Sequence, residues 1–258
     1  AAQLQQGNFA PSSVTVSDLF AGALIPGFAL VALYILYLIA MAVFVPASSP
    51  AIPPAPDAPK GAALAGKLIL IMAAPLLLIL AVLGSILGGI ATPTEAASVG
   101  AVGAVLLATF KGTFKDALRP VVQRTTQVTS MIFLILIGAT MFSLVFRGLG
   151  GDDMVHRALA NLPGGAAGAI LVVMVGMFFL GFVMDAFEII FVVVPIVAVP
   201  LLALHKVDPI WLGIMMAMNL QTSYMHPPLG PTLFFLRGVA PPEISTKDIY
   251  WGIIPFVL

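Results

Sequence analysis

The chain has 258 residues, of which 60% are hydrophobic and 9% charged, with a mean hydropathy of +1.12. Soluble domains are roughly half apolar and about one quarter charged, so this balance marks an integral membrane protein. Eleven basic residues offset eleven acidic ones and cysteine is absent, which excludes a basic footprint for nucleic acid, disulfides and thiolate centres. The three histidines, His156, His205 and His226, lack metal-ligand spacing.

The sequence starts at Ala1 with no cleavable leader pattern and stops at Leu258 inside an apolar run, which leads us to expect a fragment of a longer protein. Residues 1–18 are polar, and Ser17 and Asp18 are placed to cap the first apolar helix. Residues 19–45 carry no charge over about 27 positions, and a bilayer needs roughly 20. Pro26 and Gly27 predict a kink or a short entry helix there. Residues 46–60 contain six prolines, a stiff extended composition that suits either a rigid spacer between two halves or a plain surface connection.

Residues 67–91 are apolar and end in Gly84, Gly88 and Gly89. Thr92-Pro93-Thr94-Glu95 then forms a capping box with proline at the first helical position. A new helix starts at Pro93, and its small residues Ala96, Ala97, Gly100, Gly103 and Ala104 permit close packing. This second leg is short, so a re-entrant hairpin over about 67–110, with its tip at residues 91–94, fits better than two full crossings. The positive end of the second leg's dipole would point at whatever occupies the tip. Glu95 serves there as a capping carboxylate or as a ligand for a cation or proton.

Lys111, Lys115, Arg119 and Arg124 form the densest basic cluster and predict a cytoplasmic connection. The next helix, residues 121–149, carries Gln123, Thr125, Thr126, Gln127, Thr129 and Ser130 early, so its first half should face protein or water. Residues 152–162 read as an interfacial amphipathic segment with Met154, Val155, Ala158 and Leu162 on one side. Residues 166–184 read as a clean span running into Asp185-Ala186-Phe187-Glu188. Carboxylates in apolar surroundings are expensive and point to function. Asp185 and Glu188 would share one face if the helix continued, there to bind a cation, relay protons or accept hydrogen bonds from an opened helix; alternatively they cap a helix start. No sugar-binding aromatic cluster accompanies them, which argues against a glycosidase pair. His205, Lys206 and Asp208 mark a turn before a helix beginning at Pro209.

Residues 218–231, Met-Asn-Leu-Gln-Thr-Ser-Tyr-Met-His-Pro-Pro-Leu-Gly-Pro, form a polar, proline-broken island between two apolar runs. Pro227 and Pro228 donate no backbone hydrogen bond and push the chain out of helical geometry, so carbonyls near residues 221–225 should lose their donors. Irregular backbone at membrane depth is tolerated only where it lines a cavity or is buried in protein, and transporters use such openings to bind ions and anions. Asn219, Gln221, Thr222, Ser223 and His226 crowded here favour a site over a proline kink satisfied by neighbouring helices. Arg237-Gly238 closes the second apolar run, and residues 241–248 start a surface helix feeding a last apolar helix from Ile249.

With these residues placed, the chain resembles the large membrane subunit of the tripartite ATP-independent periplasmic (TRAP) solute importers. The resemblance covers nearly all 258 residues. It rests on Gly88-Gly89-Ile90-Ala91-Thr92-Pro93-Thr94-Glu95-Ala96-Ala97, on Asp18-Leu19-Phe20 with Pro26-Gly27, on Asp185 before an apolar run reaching Pro195, and on Asp208-Pro209-Ile210 through Asn219 to Pro228 and Gly230. It implies an all-α, multi-pass protein of the bacterial inner membrane, the second half of an inverted-repeat, elevator-type transporter with a re-entrant helical hairpin and an interrupted helix. In that scheme residues 1–45 end the first repeat, 46–66 link, and 67–258 form the second repeat with its interrupted helix at about 209–238. The hairpin tip (Gly88, Gly89, Thr92, Pro93, Thr94, Glu95) and the opened segment (Asn219, Gln221, Thr222, Ser223, His226, Pro227, Pro228, Gly230), with Asp185, are then expected to converge on sodium and an organic anion, sodium lying at Gly89, Thr92, Thr94 and Thr222.

Further implications are a small membrane subunit, a periplasmic substrate-binding protein, a surrounding lipid bilayer, a sodium gradient as energy source, no organic cofactor and no nucleic-acid partner. The family's solutes are mostly carboxylates, including dicarboxylates, keto acids and sialic acid. The chain departs from the family where His226-Pro227-Pro228 replaces the more frequent Thr-Pro-Pro. An imidazole there suits contact with an anionic solute, with sodium left to nearby backbone carbonyls. Two other classes compete: an intramembrane enzyme using Asp185, Glu188 and His226, and a non-transporting membrane scaffold whose prolines only shape helices.

Overall fold

The computed structural model describes residues 14–48, 61–205 and 207–257, and every regular element among them is helical. The expectations for residues 1–13, the proline-rich stretch 49–60 and Lys206 lie outside the described residues. The chain divides into two compact units, Thr15–Thr125 and Thr126–Leu258.

The first unit holds α1 (Val16–Phe44), a short 3-10 turn (Pro46–Ser48), α2 (Ala62–Leu87), α3 (Pro93–Phe110) and the opening turns of α4 (Phe114–Gly148). Thr15, not Ser17, caps α1: its hydroxyl accepts from the Asp18 amide at 3.2 Å, and the Asp18 carboxylate accepts from the Thr15 amide at 2.8 Å. A capping box fixes where the helix starts, and Ser17 falls inside it. Pro26 is carried within α1, which runs on without a separate entry helix. No residue of α1 is buried, and Ile25, Phe28 and Phe44 are 82%, 71% and 82% exposed. An apolar surface this continuous is untenable in water and natural in hydrocarbon.

α2 and α3 pack as an antiparallel pair. The closeness comes from the missing side chains of Gly100, where a Cβ would sit 3.1 Å from Val82, and Gly103, where it would overlap Leu78. α4 starts at Phe114 rather than near Val121 and keeps Pro120 inside its early turns, so the basic cluster lies largely on the helix itself.

The second unit continues α4 and adds α5 (Gly151–Ala160), α6 (Gly165–Leu180), the single turn α7 (Ala186–Glu188), a π-helical turn (Ile189–Val193), α8 (Val194–His205), α9 (Pro209–Ser223), α10 (Pro231–Val239) and α11 (Thr246–Val257). Its core is built by four-residue spacing, which puts one stripe of a helix on its neighbour. Ala169, Val173 and Met177 of α6 meet Leu212, Met216 and Leu220 of α9, with Leu159, Ile189 and Leu201 completing the cluster. α5 turns Leu159 inward with Val155 and Leu162 half-buried beside it. Met154, expected on the same side, is 59% exposed, because the inward stripe follows Val155 and Leu159.

Among the described residues, five helical stretches, α1, α2, α3, α4 and Ala186–Ala203, are long and apolar enough to cross a membrane. The protein is an all-α integral membrane protein.

Candidate functional site

Among the described residues, three interruptions of helix carry the candidate site residues, one in the first unit and two in the second. In the first unit, the break is the turn between α2 and α3. α2 closes on Gly88, and Gly89 adopts φ +67°, the left-handed conformation glycine reaches without penalty. The amides of Ile90 and Ala91 reach back to the Ser85 carbonyl at 2.9 and 3.2 Å, so the end of α2 is satisfied by its own turn. Thr92 then caps α3. Its amide and hydroxyl both donate to Glu95 Oε2 at 2.8 Å, and the Glu95 amide donates to Thr92 Oγ1 at 3.4 Å.

Glu95 therefore acts as a capping carboxylate in this structure. Pro93 takes the first helical position, and the Thr94 carbonyl accepts from the Ser98 hydroxyl at 3.0 Å. Gly88, Gly89, Thr92, Pro93, Thr94 and Glu95 thus belong to one tip. A cavity of about 390 Å³ opens there, lined by Gly89, Thr92, Pro93 and Glu95 together with Thr15 and Ser17 at the start of α1. Two helix N-termini face this space, each with its dipole's positive end.

In the second unit, α6 stops at Leu180 instead of running to Met184 as expected, and residues 181–184 form turns before Asp185 caps α7. The Asp185 side chain accepts from the Phe187 amide at 3.2 Å, and Glu188 Oε2 accepts from the Asp185 amide at 3.2 Å. The two carboxylates do not share a face of a continuous helix. They close a capping box, and a π-helical turn comes directly after it.

The other break separates α9 from α10 at residues 224–230. Its carbonyls are less bare than the prolines imply. Gln221, Thr222 and Ser223 carbonyls accept from the Tyr224, Met225 and His226 amides, the Tyr224 carbonyl accepts from the Thr232 amide at 3.1 Å, and that of His226 from the Gly230 amide at 2.8 Å. The Met225 carbonyl is left without a backbone partner among the described residues. The chain doubles back so tightly that a Cβ on Gly230 would lie 2.5 Å from the Tyr224 carbonyl oxygen. The peptide bond between Pro227 and Pro228 is cis.

These two breaks touch. A Cβ on Gly181 would come within 2.8 Å of His226 Nδ1 and 2.9 Å of Ser223 Cβ. Asn219, one turn before the opening, donates to the Met174 carbonyl of α6 at 2.6 Å and ties α9 to α6. The Thr222 and Ser223 hydroxyls donate to the carbonyls of Asn219 and Leu220, at 2.7 and 2.6 Å. A hydroxyl whose proton is committed to its own helix presents its lone pairs elsewhere, as a cation ligand requires.

His226 is fully buried. Its ring lies flat on Phe182, with centroids 4.0 Å apart, and edge-on to Phe178 at 4.7 Å. Neither ring nitrogen has a hydrogen-bond partner of ordinary geometry, and the polar group set against the ring is the Gly181 backbone. Leaving a buried polar group unmet costs about 1–3 kcal/mol. The second unit accordingly gathers Asp185, Asn219, Gln221, Thr222, Ser223, His226, Pro227, Pro228 and Gly230 around its two breaks. It does not assemble an acid–base set: Asp185 and Glu188 bond to backbone amides, and His226 meets no carboxylate.

Sequence reasoning misses Gly181, Phe178 and Phe182. The available signal is a glycine four residues before an aspartate that can serve as an N-cap. Among the described residues, no group of three or more His, Cys, Asp or Glu side chains is placed to hold a metal ion.

A family profile described as "Tripartite ATP-independent periplasmic transporter, DctM component" matches residues 8–258. The chain is 30% identical over 170 residues to an isethionate TRAP transporter permease protein of Oleidesulfovibrio alaskensis, covering 64% of this chain and 26% of that one. It is 29% identical over 204 residues to a C4-dicarboxylate TRAP transporter large permease protein of Vibrio cholerae, covering 70% and 44%. With the 2,3-diketo-L-gulonate TRAP transporter large permease protein of Escherichia coli it shares 27% identity over 179 residues, 69% of this chain and 41% of the relative. The chain spans less than half the length of these relatives. Matched by the profile over nearly its whole length, it belongs to the DctM component family of tripartite ATP-independent periplasmic transporters.

Proposed function

We propose that this chain forms the ion- and solute-binding half of the large membrane subunit of a sodium-coupled secondary importer of organic acids. It acts in a bacterial inner membrane, with a small membrane subunit and a periplasmic substrate-binding protein, and moves its cargo by an elevator motion. The observation that carries this reading is local: in a chain otherwise made of apolar helices, the backbone opens where hydroxyls, carbonyls and helix N-termini are concentrated. Sodium is held by Gly89, Thr92 and Thr94 at the hairpin tip and by Thr222 at the α9 break, the Thr92 and Thr222 hydroxyls acting through the lone pairs their own hydrogen bonds leave free. The relatives' names, which specify isethionate, C4-dicarboxylate and diketo-gulonate, agree in naming acids.

The capped state of Asp185 and Glu188 and the absence of a carboxylate on His226 disfavour an intramembrane enzyme. The experiment is uptake by proteoliposomes holding the complete transporter and its binding protein. Accumulation should collapse when external sodium is replaced by choline, and Thr92→Ala and Thr222→Val should each raise the sodium concentration needed for half-maximal uptake. Uptake indifferent to sodium and to both substitutions contradicts the assignment.

A further inference from the structure

Two adjoining cavities of the second unit are lined by none of the proposed sodium ligands. The first, of about 300 Å³, is lined by Leu136, Ala139, Thr140 and Ser143 of α4, with Phe191 and Pro195 across from them. The second, of about 260 Å³, is lined by Arg147 near the end of α4, by Asp152, Asp153 and His156 of α5, and by one side of α8. Arg147 and Pro195 border both, so the two join into one groove. Its inner stretch is mostly hydrocarbon, and the Thr140 hydroxyl there commits its proton to the Leu136 carbonyl at 2.7 Å. Its mouth carries a guanidinium, two carboxylates and an imidazole. We propose that this groove holds a phospholipid with an ammonium-bearing headgroup, phosphatidylethanolamine, its phosphate on Arg147, its ammonium on Asp153 and one acyl chain lying along α4.

Free bonding capacity at the mouth is the first support. Arg147 meets Asp152 through Nε at 3.5 Å, and both side chains are more than half exposed, so the pair is weak. The two terminal nitrogens of the guanidinium have no partner among the described residues, and they form the fork that suits a phosphate. The Asp153 carboxylate is free in the same sense, since only its backbone carbonyl is engaged, by Arg157 Nε at 3.2 Å. Charge pattern is the second support. Two carboxylates beside one guanidinium deny the mouth the positive excess that a purely anionic headgroup needs, whereas a phosphate followed by an ammonium matches both signs. Depth is the third. The early turns of α4 are polar, so its apolar part ends near Gly148, and Arg147 lies where hydrocarbon gives way to headgroups. α5 follows at once as an amphipathic helix suited to that boundary. From Arg147 back to Leu136 the groove runs about 16 Å along α4, the direction an acyl chain takes.

This lipid site is separate from the sodium assignment, and its failure would leave that assignment intact. Native mass spectrometry of the complete, delipidated transporter in detergent, titrated with palmitoyl-oleoyl lipids, reads it. Phosphatidylethanolamine should be retained saturably, about fivefold more tightly than phosphatidylglycerol, which has no cation, or phosphatidylcholine, whose ammonium has no N–H to donate. Asp153→Asn should abolish that preference, and Arg147→Gln should weaken retention of all three lipids. Ser143→Leu, which narrows the groove without altering charge, should weaken phosphatidylethanolamine in protein that still elutes as a single species, whereas Lys115→Gln, at the other end of α4, should change nothing. Equal retention of the three lipids, a preference that persists in Asp153→Asn, or retention undiminished by Arg147→Gln overturns the proposal. So does displacement by glycerophosphoethanolamine alone, because the ligand would then be a soluble phosphate ester. Retention of no lipid overturns it as well, because another helix of the complete transporter would then fill the groove.

Discussion

The hairpin tip of the first unit and the paired breaks of the second interrupt helices in opposite ways. At the tip, glycine supplies conformation: Gly89 takes a positive φ in open space, and the chain closes its own hydrogen bonds around Ser85 and the Thr92–Glu95 box. In the second unit, glycine supplies room: Gly181 and Gly230 have ordinary φ values, but a Cβ on either would come within 2.5 to 2.9 Å of neighbouring backbone, the His226 ring or Ser223. One region is a self-sufficient cap that presents its oxygens to a cavity. The other is an interlock whose parts hold each other in place and leave a histidine unmet. A tip that satisfies itself can move as a body, whereas an interlock can change only if both segments shift together.

Substitutions that separate conformation from space test this contrast. Gly230→Ala should be the most damaging, because its Cβ meets backbone that cannot rotate away; a loss of about 3 kcal/mol, at the upper end for overpacking, should appear as a failure to recover folded protein or a large drop in thermal midpoint. Gly181→Ala should cost about 1–3 kcal/mol by pressing on His226 and Ser223. Combining it with His226→Ala should restore part of the stability, a coupling readable in a double-mutant cycle. If each glycine in the second unit tolerates alanine, the interlock is not real.

At the tip the effects should be smaller and of another kind. Gly89→Ala should cost about 1–2 kcal/mol for the left-handed backbone, and Gly89→Asn should recover much of it, since asparagine visits that conformation. Thr92→Ala removes the cap and should cost about 1 kcal/mol. The same box recurs at Ser245 and Asp248, away from both breaks, and serves as a control. There the hydroxyl and then the amide of Ser245 hold the Asp248 carboxyl below its ordinary value. A lowered carboxyl stabilises the fold above the ordinary carboxylate range and loses that contribution as pH falls through the lowered value. Asp248→Asn should therefore weaken the protein at neutral pH and converge with wild type in acid, as thermal melts across pH would show.

Much of this is readable in the residues. Thr92-Pro93-Thr94-Glu95 announces a helix start, and Pro209 and the prolines at 227 and 228 bracket α9 and its end, because proline and capping chemistry act locally. The break at Gly181 is hidden, since residues 166–184 are uniformly apolar and nothing in their hydropathy separates a helix from a turn packed inside protein. Asp185 and Glu188 are ambiguous for the same reason: without the turn before them, their spacing fits a continuing helix as well as a cap. Of the carbonyls that Pro227 and Pro228 free, that of Ser223 accepts from the His226 amide and that of Tyr224 from the Thr232 amide, a closure that depends on the chain folding back and leaves no trace in local sequence. The aromatic box around His226 likewise joins side chains more than forty residues apart.

The most direct test of the account is equilibrium binding of radiolabelled sodium to the complete purified transporter in nanodiscs. Saturable binding that is weakened by Thr92→Val at the tip and again by Thr222→Val at the α9 break, with Ser245→Ala leaving it unchanged, is the predicted result. Sodium binding that survives both threonine substitutions undiminished would contradict the claim that these openings in the helices are built to hold the coupling ion.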